Sequence, residues 1–191
     1  LAAVIAATPH IARRFARIHR RSVDINNYSL KEEFELGGRR TDDGRTLCYL
    51  GLISRIRGSV EMVRALEHVD ARLILAGPFE SPEMEAEMRS LPGWAKVDYR
   101  GTVDRAGVAD IMAQSSAGLL MFHPEPNHVD AQPNKLFEYM AAGLAVVASD
   151  FPFWRKLLNG ADAARFADPF DPRAIAAAIN EILREPGRAR S

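Results

Sequence analysis

Two short stretches combine charge and spacing in a way that suits a phosphorylated, hydroxyl-bearing ligand. The first is GLISRIRGS, Gly51 to Ser59, in which Arg55 and Arg57 stand between two glycines ahead of a helix start at Ser59. Guanidinium forks match phosphate geometry, and the N–H groups at a helix start favour an anion. The alternative is a pair of solvated loop arginines. The second stretch is PNKLFEYMAAG, Pro133 to Gly143, which puts Lys135 and Glu138 at the front of an apolar helix. Lys135 with the first helical turn makes another cationic corner. Glu138 shares a face with Lys135, but an isolated pair at this spacing stabilises a helix by only about 0.2–0.5 kcal/mol. Structure alone therefore gives little reason for the carboxylate. A carboxylate accepts hydrogen bonds and donates none, so it suits a vicinal diol such as a ribose. The plainer alternative is a surface Lys–Glu pair on a core helix.

These residues need a scaffold, and the chain supplies one. Strand-like runs are expected at 2–8, 22–27, 46–51, 72–77, 96–101, 117–123, 144–150 and 163–168. Helices fit between them: Pro9 to His19 behind Thr8, Ser59 to His68, Pro82 to Ser90, Arg105 to Gln114 behind Asp104, Asn134 to Ala142, and Pro172 to Arg184 behind Asp171. Such alternation predicts an α/β fold, a Rossmann-like parallel sheet with helices on both faces. Sheets of this kind bind ligands beyond the carboxyl ends of their strands, which is where both charged stretches fall. The polar run GGRRTDDG, Gly37 to Gly44, reads as a loop that separates a lead-in segment, 1–40, expected to pack on the rest, from a main domain, 41–191, and the tail EPGRARS reads as frayed.

Composition narrows the functions. Lys+Arg and Asp+Glu are equal at 25 each, so no overall field favours nucleic acid, and an anion must be held locally. The single cysteine, Cys48, lies in an apolar run and suits a buried thiol in a reducing compartment. No apolar run is long enough to span a bilayer. The fingerprints of dinucleotide-binding, P-loop, zincin and serine-hydrolase sites are absent, and no D-x-D triplet occurs.

PNKLFEYMAAGLAVVASD resembles the donor-binding signature of family 4, group 1, glycosyltransferases of the GT-B fold. YLGLISRIRGSVEMVRALE resembles their phosphate-binding loop and following helix, and the likeness runs from Thr46 to Arg184. The resemblance implies the C-terminal half of a GT-B enzyme, with an acceptor-binding N-terminal domain absent from this stretch. It implies a retaining transfer of sugar from a nucleoside-diphosphate sugar, UDP- or GDP-linked, to an acceptor hydroxyl, with no metal and with nothing transferred by this part alone. Two family carboxylates fall on Asp130 and Glu138: Glu138 for the ribose hydroxyls, and Asp130, where the family usually has Glu, for the transferred sugar. The family's basic pair falls on Leu52 and Arg57, and Arg55 is the candidate to replace the charge that Leu52 lacks. Asn134, Lys135 and the backbone of Leu136 and Phe137 would meet the diphosphate or ribose. The base would lie on the turn Arg100 to Val103, held by backbone groups at Gly101 and Val103. Arg57, Lys135 and Asp130 would act on the reacting groups. AQPNKLFEYMAAG looks most like enzymes of bacterial surface-polysaccharide assembly, which implies lipopolysaccharide or capsule synthesis, a glycan or lipid-linked acceptor, and a cytoplasmic site at the inner face of a membrane. Two other readings stay open: a GT-B nucleotide-sugar 2-epimerase and a non-catalytic α/β binding module.

The remaining candidates read as structural. His123 ends a strand and His128 sits in the polar loop before Pro133; both are expected to be solvated, although either could touch the donor sugar. Trp94 and Trp154 read as packing residues, and Phe151 and Phe153 as an apolar lip around Pro152.

Overall fold

Apolar runs bounded by turn residues become strands, and the amphipathic runs between them become the helices that cover the sheet. The computed structural model describes residues 2–25, 41–159 and 162–184. The strand end expected at 26–27, the first half of the polar run at 37–40 and the tail at 185–191 lie outside the described residues. The lead-in comprises β1 (Val4–Ala6), α1 (Pro9–Ala16) and β2 (Ser22–Asp24). The main body follows with β3 (Thr46–Leu50), α2 (Ser59–Ala65), β4 (Arg72–Ala76), α3 (Pro82–Ser90), β5 (Val97–Gly101) and α4 (Arg105–Ala113). It is completed by β6 (Ala117–Leu120), α5 (Asn134–Ala141), β7 (Ala145–Ser149), α6 (Pro152–Leu157), β8 (Ala164–Ala167) and α7 (Pro172–Arg184).

Six strands pair in parallel in the order β5-β4-β3-β6-β7-β8. Every residue of β3, β6 and β7 is buried, as a strand covered by helices on both faces requires, while β5 at the edge is only partly covered. One contiguous apolar core joins this sheet to α2, α5 and α7, with Leu47, Leu73, Leu119, Val147 and Ile179 fully buried. Burying each such side chain stabilises the fold by about 1.5–3 kcal/mol before chain entropy is counted. The α/β expectation is met.

Helix starts follow the sequence closely. Asp104 Oδ1 accepts from Gly107 N–H at 2.8 Å, Ser81 Oγ from Met84 N–H at 3.2 Å, and Asp171 Oδ1 from Arg173 and Ala174 N–H at 2.9 and 3.2 Å. Each bond satisfies an amide that the helix itself leaves unpaired. Three elements were not expected: α6, begun by Pro152 in the place taken for a lip, and 3-10 turns at Arg55–Arg57 and Pro92–Lys96. The expected helix to His68 ends its α-helical part at Ala65 and tightens into a 3-10 turn at Leu66–His68. The strand expected at 117–123 leaves the ladder after Leu120, because His123 N–H turns aside to donate to the Ile56 carbonyl at 2.9 Å.

The lead-in stands apart from that core. β1 and β2 form their own two-stranded parallel sheet, crossed by α1, which Thr8 caps by accepting from Ile11 N–H at 3.3 Å. Ile5, Ile18, Val23 and Ile25 of this segment are exposed. Thr41 N–H meets the Ala113 carbonyl at 3.0 Å, and His10 Nδ1 lies 3.6 Å from Asp130 Oδ2 across the two parts.

Candidate functional site

The sheet runs outward in both directions from the neighbours β3 and β6: β3 leads through α2 to β4, and β6 leads through α5 to β7. The loops leaving their carboxyl ends therefore diverge and open a crevice between them. Both charged stretches are at this crevice.

Gly51 follows β3 with φ 140° and lines the crevice. A Cβ there would lie 3.3 Å from Arg57 Nη1, 3.9 Å from Lys135 Cε and 3.8 Å from the Tyr49 hydroxyl. Two cationic side chains about eighty residues apart, one on a turn and one on a helix, thus converge over one glycine. Arg57 belongs to a 3-10 turn, Arg55–Arg57, that ends at Gly58. Gly58 has φ 68°, and a Cβ on it would fall 1.9 Å from the Met121 carbonyl oxygen, so the turn sits directly on the end of β6. Phe122 supports the guanidinium, whose Cζ stands 5.5 Å from the ring centroid. The Tyr49 hydroxyl donates to the Leu52 carbonyl at 2.8 Å, and burial pushes its pKa up to about 12 against the pull of Arg57. It is a neutral strut here.

Lys135 and Glu138 meet on α5, with Nζ 2.7 Å from Oε2 and the two side chains 27% and 15% exposed. Pro133 sits at the N-cap and supplies no capping side chain, and Asn134 beside it is exposed. Leu136 turns its side chain into the core, so only its backbone faces the crevice end of the helix. Next to these groups a cavity of about 220 Å³ opens between the ends of β3, β4 and β5, lined among others by Leu52, Pro78, Thr102, Val103, Val108 and Lys135. Gly101, with φ 64°, starts the turn that bounds it, and its carbonyl accepts from Gly77 N–H at 2.7 Å. Lys135 and Val103 thus line one cleft, with Arg57 beside it across Gly51 and Glu138 bound to Lys135.

Arg55 and Asp130 are placed differently. Arg55 points toward α3, where Nη2 pairs with Glu87 Oε2, and its backbone N–H is 3.4 Å from Glu80 Oε2. It is already engaged by two carboxylates. Asp130 is half exposed on the loop before α5 and faces His10 of the lead-in.

The two histidines correct the expectation of solvated loop residues. His123 and His128 are 8% and 7% exposed. His128 Nδ1 contacts the His123 carbonyl oxygen at 3.1 Å, and its ring packs 4.8 Å from that of Phe122. His123 lies against Phe170 and Glu61. Trp154 packs as expected and does more, since its Nε1–H donates to the Ala131 carbonyl at 2.9 Å and fastens the loop that carries Asp130. No local spacing signals the contacts of His123 with Glu61 and of Trp154 with Ala131, because these partners are far apart in the chain. Cys48 is buried, and desolvation pushes its thiol up to about 12, so it is an inert core group. No group of three or more potential metal ligands occurs among the described residues, and no described helix is long and apolar enough to cross a membrane.

A parallel sheet opened between β3 and β6 is a fold shared with GT-B glycosyltransferases of known structure. Residues 44–185 match the family model described as glycosyl transferases group 1, and the chain belongs to that family. A phosphatidyl-myo-inositol mannosyltransferase of Mycolicibacterium smegmatis is 30% identical over 151 residues, covering 75% of this chain and 37% of the relative. The chain therefore spans under two fifths of that relative's length. Among solved structures, sucrose-phosphate synthase of Thermosynechococcus elongatus superposes with a TM-score of 0.75 at 22% identity, over 98% of this chain and 50% of that one. HepE of Anabaena, solved with UDP and glucose, superposes with a TM-score of 0.76 at 16% identity, over 98% and 55%. These likenesses establish the fold.

Proposed function

We propose that this chain is the donor-binding half of a retaining glycosyltransferase that moves a sugar from a nucleoside diphosphate to an acceptor hydroxyl. The convergence of Arg57 and Lys135 over Gly51 carries the reading. During transfer the bond from the anomeric carbon to the diphosphate oxygen breaks, and a bond to the acceptor oxygen forms on the same face of the sugar. Negative charge grows on the departing diphosphate. Preorganised cations and first-turn N–H groups oppose that charge without having to reorganise, so Arg57, Lys135 and the start of α5 serve as the electrophilic side of the site and need no metal ion.

The Lys135–Glu138 contact fits this role. An ammonium has three donors, so Lys135 can keep Glu138 and still reach a phosphate oxygen. Glu138, oriented by that bond, accepts from the ribose hydroxyls, while Asn134 and the backbone of Leu136 meet the diphosphate. The cavity beside Val103 takes the base, bounded by the Gly101 turn. Asp130 addresses the transferred sugar. Arg55, bound to Glu87, contributes to the field of the loop rather than to direct contact unless the ligand displaces that carboxylate. Acceptor groups come from a separate N-terminal domain, and we place the whole enzyme in bacterial surface-polysaccharide synthesis, lipopolysaccharide or capsule, at the cytoplasmic face of a membrane. The relatedness to a lipid-directed mannosyltransferase supports a lipid-linked or glycan acceptor.

Calorimetric titration of UDP and GDP into the chain tests the reading. One of them binds, and Arg57→Ala weakens it at least about tenfold, the loss of one charge-assisted hydrogen bond, without changing the melting temperature by more than about 2 °C. Failure of both nucleotides to bind would refute the donor site.

A further inference from the structure

His123 grips the segment that carries Arg57 at both ends. Its backbone N–H donates to the Ile56 carbonyl at 2.9 Å, and its Nε2 approaches Glu61 Oε2, in the first turn of α2, at 3.3 Å. Between those points Gly58 rests on the Met121 carbonyl with no space for a Cβ. A third bond lies within the loop that leads to Lys135 and carries His123 itself: His128 contacts the His123 carbonyl oxygen through Nδ1, which must therefore carry its proton. His123 is the point at which the Arg57 loop and the Lys135 loop are tied together.

The Glu61–His123 contact is built into the interior. The side chains are 13% and 11% exposed, and the His123 ring lies 4.4 Å from that of Phe170, centroid to centroid. Nε2 and Oε2 are both buried, and neither has an aligned hydrogen-bond partner among the described residues. Buried polar atoms are nearly always paired, because an unmade bond there costs the full desolvation of the group. A hydrogen shared between Nε2 and Oε2 makes the approach attractive, since two bare lone pairs would repel. A core that needed only filler at this place would be served by apolar side chains, which pack without that cost.

We propose that His123, held by Glu61, is a positioning residue that fixes Arg57 for the diphosphate of the donor; this rests on the donor-site reading of Arg57. The pair sets where the 3-10 turn stands on β6, and so where the guanidinium stands over Gly51.

The test is a double-mutant cycle on nucleotide affinity, with UDP and GDP as probes, thermal melting as the control for folding, and ligand-observed NMR for weak binding. His123→Leu weakens the better-bound nucleotide about tenfold in the otherwise unchanged chain, as expected when one charge-assisted contact is misplaced. In the Arg57→Ala background the same change has less than about a twofold effect, because the residue through which it acts is gone. His123→Gln, which keeps an N–H directed at Glu61, stays within about threefold of the parent. Should His123→Leu melt without cooperativity, the apolar pair Glu61→Leu/His123→Leu removes the buried charge altogether; it melts like the parent and still loses about tenfold in affinity. Equal losses in both Arg57 backgrounds, or parental affinity in the apolar pair, overturn the positioning role while leaving the donor site standing. An unaltered chain that binds neither nucleotide overturns both.

Discussion

Replacing Glu138 by Gln separates a ligand-binding carboxylate from a helix strut. The change keeps size and shape and removes one charge from a contact of 2.7 Å between side chains that are 27% and 15% exposed. As a strut, an i,i+3 pair of this kind contributes about 0.2–0.5 kcal/mol, and partial burial raises that toward about 1 kcal/mol. For this chain length 1 kcal/mol corresponds to a shift of about 2–4 °C in melting temperature. As an acceptor for two ribose hydroxyls, the carboxylate contributes charge-assisted bonds of about 1.5–3 kcal/mol each in place of weaker neutral ones. Loss of even 1.4–3 kcal/mol is about ten- to one-hundred-fold in affinity. Affinity should therefore fall far more than stability. Calorimetry with UDP or GDP measures the first and thermal melting the second. The 2′-deoxy nucleotide sharpens the assay: the parent discriminates against it, and Glu138→Gln discriminates less. A variant that melts 2–4 °C lower yet binds both nucleotides as the parent does, within about threefold, would refute the assignment and leave Glu138 as a strut.

Two further outcomes follow from the geometry around β3. Gly58→Ala must place a Cβ 1.9 Å from a backbone oxygen at φ 68°, so the turn has to move; it loses at least about 2 kcal/mol of stability by chemical denaturation and weakens diphosphate binding together with it, whereas Gly44→Ala, with nothing within 4 Å of its Cβ, shows only the strain of its positive φ. Cys48 has an ordinary value of 9.0 that burial pushes to about 12. The folded chain therefore holds the thiol proton more tightly than the unfolded one, and the contribution of the neutral thiol is complete below pH 9 and is lost as pH climbs from 9 toward 12. Denaturation series from pH 8 to pH 11 should show stability falling, with a shallower fall in Cys48→Ala, and Cys48 should resist alkylation until the chain unfolds.

How much of this was legible depends on how far apart the partners lie. β3 and β7 were readable because TLCYL and AVVAS are apolar on both alternating faces, which only a doubly covered strand requires. Lys135 and Glu138 were readable because three residues of spacing on a helix fixes a shared face. Arg55 and Arg57 look alike in the sequence, and what separates them is Glu87 on α3, thirty-two residues on from Arg55. His123 looked like a loop histidine because Glu61, which draws it inward, is sixty-two residues earlier. α6 was missed because PFWRKL is too short to show a helical period, and its fixed points are the Pro152 start and the tertiary bond from Trp154. Local pattern shows which residues can make a contact; only the fold shows which of them do.

Trp154 gives the molecule an optical consequence. Its indole is fully buried between Phe122 and Phe151, and its one polar atom is bound to the loop that precedes α5. The other tryptophan, Trp94, lies beneath Arg89 beside Tyr99. Emission from Trp154 is therefore blue-shifted relative to a hydrated indole, and it reports the loop directly: any rearrangement that draws Ala131 away from the indole nitrogen changes the colour and intensity of the fluorescence without a label being attached.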